Sequence, residues 1–187
     1  MSGMWIWIIV AVVVVLLVLW AIALYNRLVK ANVAVDEGFA QIEVQLQRRN
    51  DLIPNLVATV KGYAAHESGT FEAVTQARAL GEKATTVPEV AAADGALTQA
   101  LRGLLAVAEN YPDLKASANF LSLQEELSAT ENKVSFSRQF YNDAVRTLNT
   151  LIVTIPTKLF VGMAGVKPRE FYEVPDAANR NAPTVSF

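Results

Sequence analysis

The chain has 187 residues, 52% of them hydrophobic, with a mean hydropathy of +0.27 and a formal net charge of −2. That length suits one domain with an appendage, and the near-neutral charge offers no basic face to meet nucleic-acid phosphate. The lack of cysteine excludes disulfides and thiol chemistry, and a lone histidine, His66, excludes a His-rich metal site within one chain.

The first element is an apolar run, "WIWIIVAVVVVLLVLWAIALY", from Trp5 to Tyr25. As a helix rising roughly 1.5 Å per residue it covers about 30 Å, the thickness of a bilayer core. Trp5 and Trp7 at one end and Trp20 and Tyr25 at the other sit where interfacial aromatics anchor a span. A core helix would need a polar face, and none exists. A cleavable signal peptide is the rival reading, because Ala21-Ile22-Ala23 resembles a cleavage site. The uncharged start "MSGM" and the length of the run argue instead for a retained single-pass anchor. Arg27 and Lys30 follow the span and nothing basic precedes it, so the positive-inside rule places the bulk of the chain in the cytoplasm.

Helical periodicity follows. Val35, Phe39, Ile42, Leu46, Arg49, Ile53, Leu56, Val60 and Tyr63 alternate steps of four and three, a heptad-like seam in which Arg49 is the only non-apolar member. The register passes through Pro54 and resumes at Phe71 and Val74, which predicts one long helix from about Leu28 to Glu82, kinked at Pro54. Gly69 weakens its turn, so a break near "ESGT" is the alternative. Thr86-Val-Pro-Glu89 has capping-box spacing and opens a helix over about Val87 to Glu109, with Leu97, Leu101, Leu104 and Leu105 on its core face. "NYPD" reads as a turn. A third periodic run, Phe120, Leu123, Leu127, Thr130, Val134, Ser137, Tyr141, Val145, Leu148, Ile152 and Ile155, ends at Pro156. "KLFVGMAGV" reads as a short helix, and residues 174–187 as a flexible tail whose "TVSF" end could dock in extended form.

The expected fold is therefore all-α: residues 1–26 form the N-terminal segment and transmembrane anchor, and residues 27–173 an elongated antiparallel helical bundle. "YNRLVKANVAVDEGFAQIEVQLQRRNDLIPNLVATVKGYAAHE", "FEAVTQARA", "LQEELSATENKVSFSRQFYNDAVRTLNTLIVTIP" and "FYEVPDAANRNAPTVSF" resemble the LemA family of bacterial membrane proteins, over nearly all of residues 25 to 187. The "RRNDLIPNLV…VKGYA.HE" block is the specific part. Val166 and Met163 stand where many relatives carry aromatic or other apolar residues, and Ser135 and Ser137 make the third periodic run a little more polar. The resemblance implies a single-span anchor on a helical bundle in the bacterial inner membrane, with no established enzymatic activity. It also implies kinship with magnetosome-membrane proteins and genes that often neighbour those of membrane proteases.

No residue set reads as catalytic. His66-Glu67 begins the zinc-protease pattern H-E-x-x-H, but position 70 is threonine and the second ligand is missing. Glu125, Glu126, Glu131 and Asp143 lack the Glu-x-x-His motifs of di-iron bundles and read as a solvated helix face. No serine or threonine has a positioned base. The informative polar residues are Glu131, Arg138, Asn142 and Asn149, spaced along one side of the third run, with Arg49, Asn50 and Asn55 on the first helix. A charge on a bundle seam needs a partner, so these residues predict an interhelical network that fixes register. A groove for a partner or ligand is the functional alternative. No cofactor is expected. The expected partners are the lipid bilayer, further copies of the chain as a homo-oligomer, and an unidentified membrane or membrane-associated protein. The expected role is a non-enzymatic scaffold or interaction module; the alternative is an accessory factor for a membrane enzyme such as a protease or an envelope-stress system.

Overall fold

The computed structural model describes residues 2–174, and the expected docking of the "TVSF" end lies outside them. All regular structure among the described residues is helical: α1 (Ser2–Lys61), α2 (Ser68–Lys83), α3 (Val87–Ala108), α4 (Pro112–Lys115), α5 (Ala118–Val153), a 3-10 turn (Thr157–Phe160) and α6 (Val161–Ala164). The apolar run and the seam that follows belong to one helix of 60 residues, and no glycine or proline intervenes between Tyr25 and Leu28. Pro54 lies inside α1 and the helix continues through it, as the unbroken register requires.

The expectation of an unbroken helix to Glu82 is corrected. α1 ends at Lys61, residues 62–67 form a turn, and α2 begins at Ser68, so the alternative, a break near "ESGT", is the one found, and it ends on Glu67. Tyr63, a seam position by spacing, is exposed on this turn. Ala64 is buried beneath it and its amide donates to the Val60 carbonyl. α2 folds back on α1: Ile53, Pro54 and Val57 share a shallow depression with Thr75, Arg78 and Glu82, and a side chain at Gly81 would touch the Asn50 amide.

Two units can be distinguished. The first joins residues 2–39 to 140–169. Its core holds Leu28 and Val35 of α1 and Tyr141, Val145, Leu148 and Leu151 of α5, with Val166 from the chain beyond α6. The two helices approach closely at Gly38, where a Cβ would lie 3.1 Å from the Tyr141 Cα. The rings of Phe39 and Tyr141 meet at 5.8 Å and 53°, a tilted contact that suits their quadrupoles. At the end of α5 the burial differs from the sequence-based expectation: Leu151 is buried, Ile152 only partly, and Ile155 is exposed. The helix has stopped at Val153, so Ile155 no longer follows the helical period.

The second unit joins residues 40–139 to 170–174. Ile53, Leu56 and Val60 of α1 pack with Phe71, Val74 and Ala77 of α2, Leu97, Leu101 and Leu104 of α3, and Phe120, Leu123 and Leu127 of α5. Leu105 is only partly buried at its edge. α3 begins with the expected capping box: Thr86 Oγ1 accepts from the Glu89 amide at 3.4 Å, and Glu89 Oε2 accepts from the amides of Thr85 and Thr86 at 3.0 Å. Those amide donors, Thr85 first, hold the Glu89 carboxyl down to about 2 from its ordinary 4.5. "NYPD" is a turn that leads into the single helical turn α4, whose Leu114 caps the core.

Candidate functional site

α1 places a side chain on its buried stripe every seven residues, at Leu28, Val35, Ile42, Arg49 and Leu56. Four are apolar. The fifth, Arg49, is 3% exposed in the second unit, and an unpaired guanidinium there would cost several kcal/mol, on the order of the buried-charge penalty. Its partner comes from α3. Arg49 NH1 donates to Asp94 Oδ1 at 2.9 Å and to Thr98 Oγ1 at 3.0 Å. Asp94 is itself only 4% exposed.

The other carboxylate oxygen is also engaged. Tyr172 donates its hydroxyl proton to Asp94 Oδ2 at 3.1 Å, and Arg138 NH1 of α5 lies 3.8 Å from the same oxygen. The Arg138 guanidinium sits 5.5 Å from the centre of the Tyr172 ring, within cation–π range. Burial, and then the Asp94 charge, push the Tyr172 hydroxyl well above the ordinary tyrosine range, so it remains a donor at any physiological pH. One aspartate thus gathers two arginines and a tyrosine from α1, α5 and the segment that follows α6. Arg49 Nε has no hydrogen-bond partner among the described residues. A hollow of about 40 Å³ lined by Asn50, Gly81 and Asp94 is large enough to admit water.

The polar residues expected to form one network separate. Arg49 and Arg138 meet at Asp94. Glu131 and Asn55 do not join them; both are exposed, and Asn55 contributes only its carbonyl, which accepts from the Thr59 hydroxyl. Asn50 is half-buried beside Gly81, and Asn142 is half-buried on α5. Asn149 belongs to the first unit. Its amide brackets the Arg169 backbone, donating to the carbonyl and accepting from the N–H, both at 2.9 Å. The Arg169 guanidinium then donates to Asp36 on α1. Seven-residue spacing puts these groups on one helix side, but the helix passes different neighbours along its length.

Sequence patterning misses Asp94 and Tyr172. For Asp94 a signal exists: Val90, Asp94, Leu97, Leu101, Leu104 and Ala108 form the buried stripe of α3, so an acid stands on an Ala-rich core face. It is the counterpart of the seam arginine. Tyr172 has no periodic signal, because its segment has no regular secondary structure. The other chemical candidates stand apart. His66 is exposed on the α1–α2 turn, and Glu125, Glu126, Glu131 and Asp143 face solvent. No group of three or more potential metal-ligating His, Cys, Asp or Glu side chains occurs among the described residues. On α1, Trp5, Trp7 and Trp20 are exposed and Tyr25 half-buried.

The LemA family model matches residues 38–187, four-fifths of the chain and every residue of this cluster. The chain belongs to the LemA family. Among its relatives are two magnetosome proteins, MamQ 1 and MamQ 2 of Paramagnetospirillum magneticum AMB-1, each 25% identical over 175 residues. These alignments cover 80% of this chain and 64% of the relative. The protein LemA of Metamycoplasma hominis is 25% identical over 136 residues, covering 71% of this chain and 61% of the relative. This LemA-family chain therefore spans somewhat under two thirds of the length of the curated relatives it matches.

Proposed function

We propose that this LemA-family chain is a single-pass membrane-anchored scaffold that works through its helical surfaces without catalysis, with its bulk in the cytoplasm. The observation that carries the reading is the first part of α1. From Met4 to Ile22 its large apolar side chains are exposed, with no partner helix among the described residues to cover them, and the same helix runs unbroken to Lys61. A helix that is apolar on every side needs lipid as its solvent. Relatives named as magnetosome proteins add support.

The Arg49–Asp94 cluster is read as a register lock. Both carboxylate oxygens of Asp94 are taken by protein donors, and a buried polar group on a bundle seam penalises every other alignment of the helices. The surface depression formed by α1 and α2, about 190 Å³, is smaller than the usual 300–1,000 Å³ of small-molecule sites. Chemical cross-linking of the full chain in native membranes tests the scaffold reading: discrete higher species are expected, and monomer alone under all conditions sinks it. A reporter fused after Phe187 tests the orientation; activity on the periplasmic side overturns it.

A further inference from the structure

The end of α5 does not finish inside the first unit. After Val153 the chain turns by 88° into the segment Thr157–Ala164. The turn is fastened from within: Thr157 is buried and its hydroxyl bonds the carbonyls of Leu151 and Thr154. Its outer side is apolar. Val153, Ile155, Leu159 and Met163 are 67%, 79%, 76% and 74% exposed, more than most residues of the apolar run of α1. Four such side chains on one short bend cannot belong to a water-facing surface without cost, at about 25 cal/mol per Å² of apolar area left in water.

The position of the bend supplies its solvent. Within the first unit α1 and α5 run antiparallel, with Gly38 against Tyr141 and Asp36 tied through Arg169 to Asn149. Carried along both helices at equal rise, that register sets Leu28 beside Leu151 and Val153 beside Asn26. The bend thus falls level with Tyr25, where the apolar run of α1 ends. Ala21, Leu24 and Tyr25 are partly covered while their neighbours towards the N-terminus are exposed, as expected where the bend reaches α1. Charge agrees with this placement. Residues 1–35 and 144–169 hold no aspartate or glutamate, whereas Arg27, Lys30, Lys158 and Lys167 are exposed.

We infer that residues 153–163 are a second membrane contact, an apolar bend inserted into the headgroup region of the same leaflet that α1 leaves, with Lys158 and Lys167 against lipid phosphates. The inference rests on the anchor reading of α1. A segment lying across the end of a span buries its apolar side about 5–10 Å into the interface, and nearby lysines favour anionic lipid. Because α5 ends on the bend, the first unit is held to the bilayer at two points and α1 is not free to turn about its own axis.

The chain has no cysteine, so single probes can be placed without other changes. Full-length Leu159→Cys and Met163→Cys, each carrying an environment-sensitive fluorophore, are reconstituted into phosphatidylcholine–phosphatidylglycerol vesicles with spin-labelled lipids. Val13→Cys reports the anchor and Phe136→Cys, exposed on α5 in the second unit, reports water. The expected result is a blue shift at positions 159 and 163 and a loss of fluorescence to shallow spin labels matching a Tyr25→Cys probe. Emission like that at position 136, with quenching by aqueous iodide, overturns the inference while a lipid-quenched position 13 leaves the anchor standing. A blue shift without lipid quenching overturns it in favour of a protein partner or a second copy. A water-exposed position 13 overturns both readings.

Discussion

The two units are built along the same pair of helices and held together by different chemistry. In the first, α1 meets α5 through Leu28, Val35 and the bare backbone of Gly38 against Tyr141, and the ion pair that α1 makes, Asp36 with Arg169, stands at the surface. In the second, the same heptad stripe of α1 carries Arg49, and the ion pair is in the interior. Apolar seams tolerate the exchange of one aliphatic side chain for another of similar volume. A buried arginine does not, since only one alignment brings Asp94, Thr98 and its own guanidinium together. The contrast teaches that position in the heptad sets burial, while residue chemistry sets how strictly the neighbours are specified.

The sharpest way to break this contrast is to strand the arginine. Asp94→Ala should cost about 3–5 kcal/mol, the penalty for an uncompensated buried charge, seen as faster amide hydrogen exchange in α3. The paired change Arg49→Met with Asp94→Leu should recover part of that loss, because the arginine is no longer stranded, while Tyr172 and Arg138 still lose Asp94 as an acceptor. If the single and double variants exchange alike, Arg49 is not held as described. Tyr172→Phe removes one hydroxyl bond to Asp94 and should cost about 1.5–3 kcal/mol, again read in α3. Unchanged exchange there would mean that Arg138 alone satisfies Oδ2.

In the first unit, Asp36→Ala should cost about 1 kcal/mol or less, because the pair is partly exposed and screened. A loss as large as that of Asp94→Ala would erase the distinction between the units. The smallest effect concerns Glu89. Its folded carboxyl is held to about 2 against an ordinary 4.5, so its contribution is present above 4.5 and is lost as pH falls towards 2. Glu89→Ala should remove that acid-dependent fraying at the start of α3 and leave the behaviour of Asp94 untouched. A wild-type α3 whose amide protection stays flat between pH 5 and about 2 would contradict the capping role.

Much of this plan is legible in the amino-acid sequence. The apolar run, the seam through Pro54 and the capping box at Thr86 follow from periodicity and local chemistry. The turn at 62–67 does not, because Val60 and Val74 keep the heptad register across it although α2 reverses direction. Periodicity records which side of a helix is buried and is blind to a chain that folds back on itself. The candidate site is half legible: Arg49 and Arg138 stand out by their spacing, but their shared partner is hidden among alanines. Tyr172 reaches Asp94 from a segment without regular structure, where no period exists to reveal it.

The ion pair between Asp36 and Arg169 joins positions 133 residues apart, and in both units α1 is completed by α5. At roughly 5–20 residues per second of synthesis, α1 emerges many seconds before the helix that covers it. Through that interval Leu28, Val35, Ile42 and Leu56 have no native cover from α5, and an uncovered apolar stripe on a nascent helix invites pairing with another chain. The α1–α2 hairpin shortens the wait for the second unit, since α2 follows within a few residues and packs on Ile53, Leu56 and Val60. The first unit has no such early guard, so a truncated or slowly translated chain should fail there first.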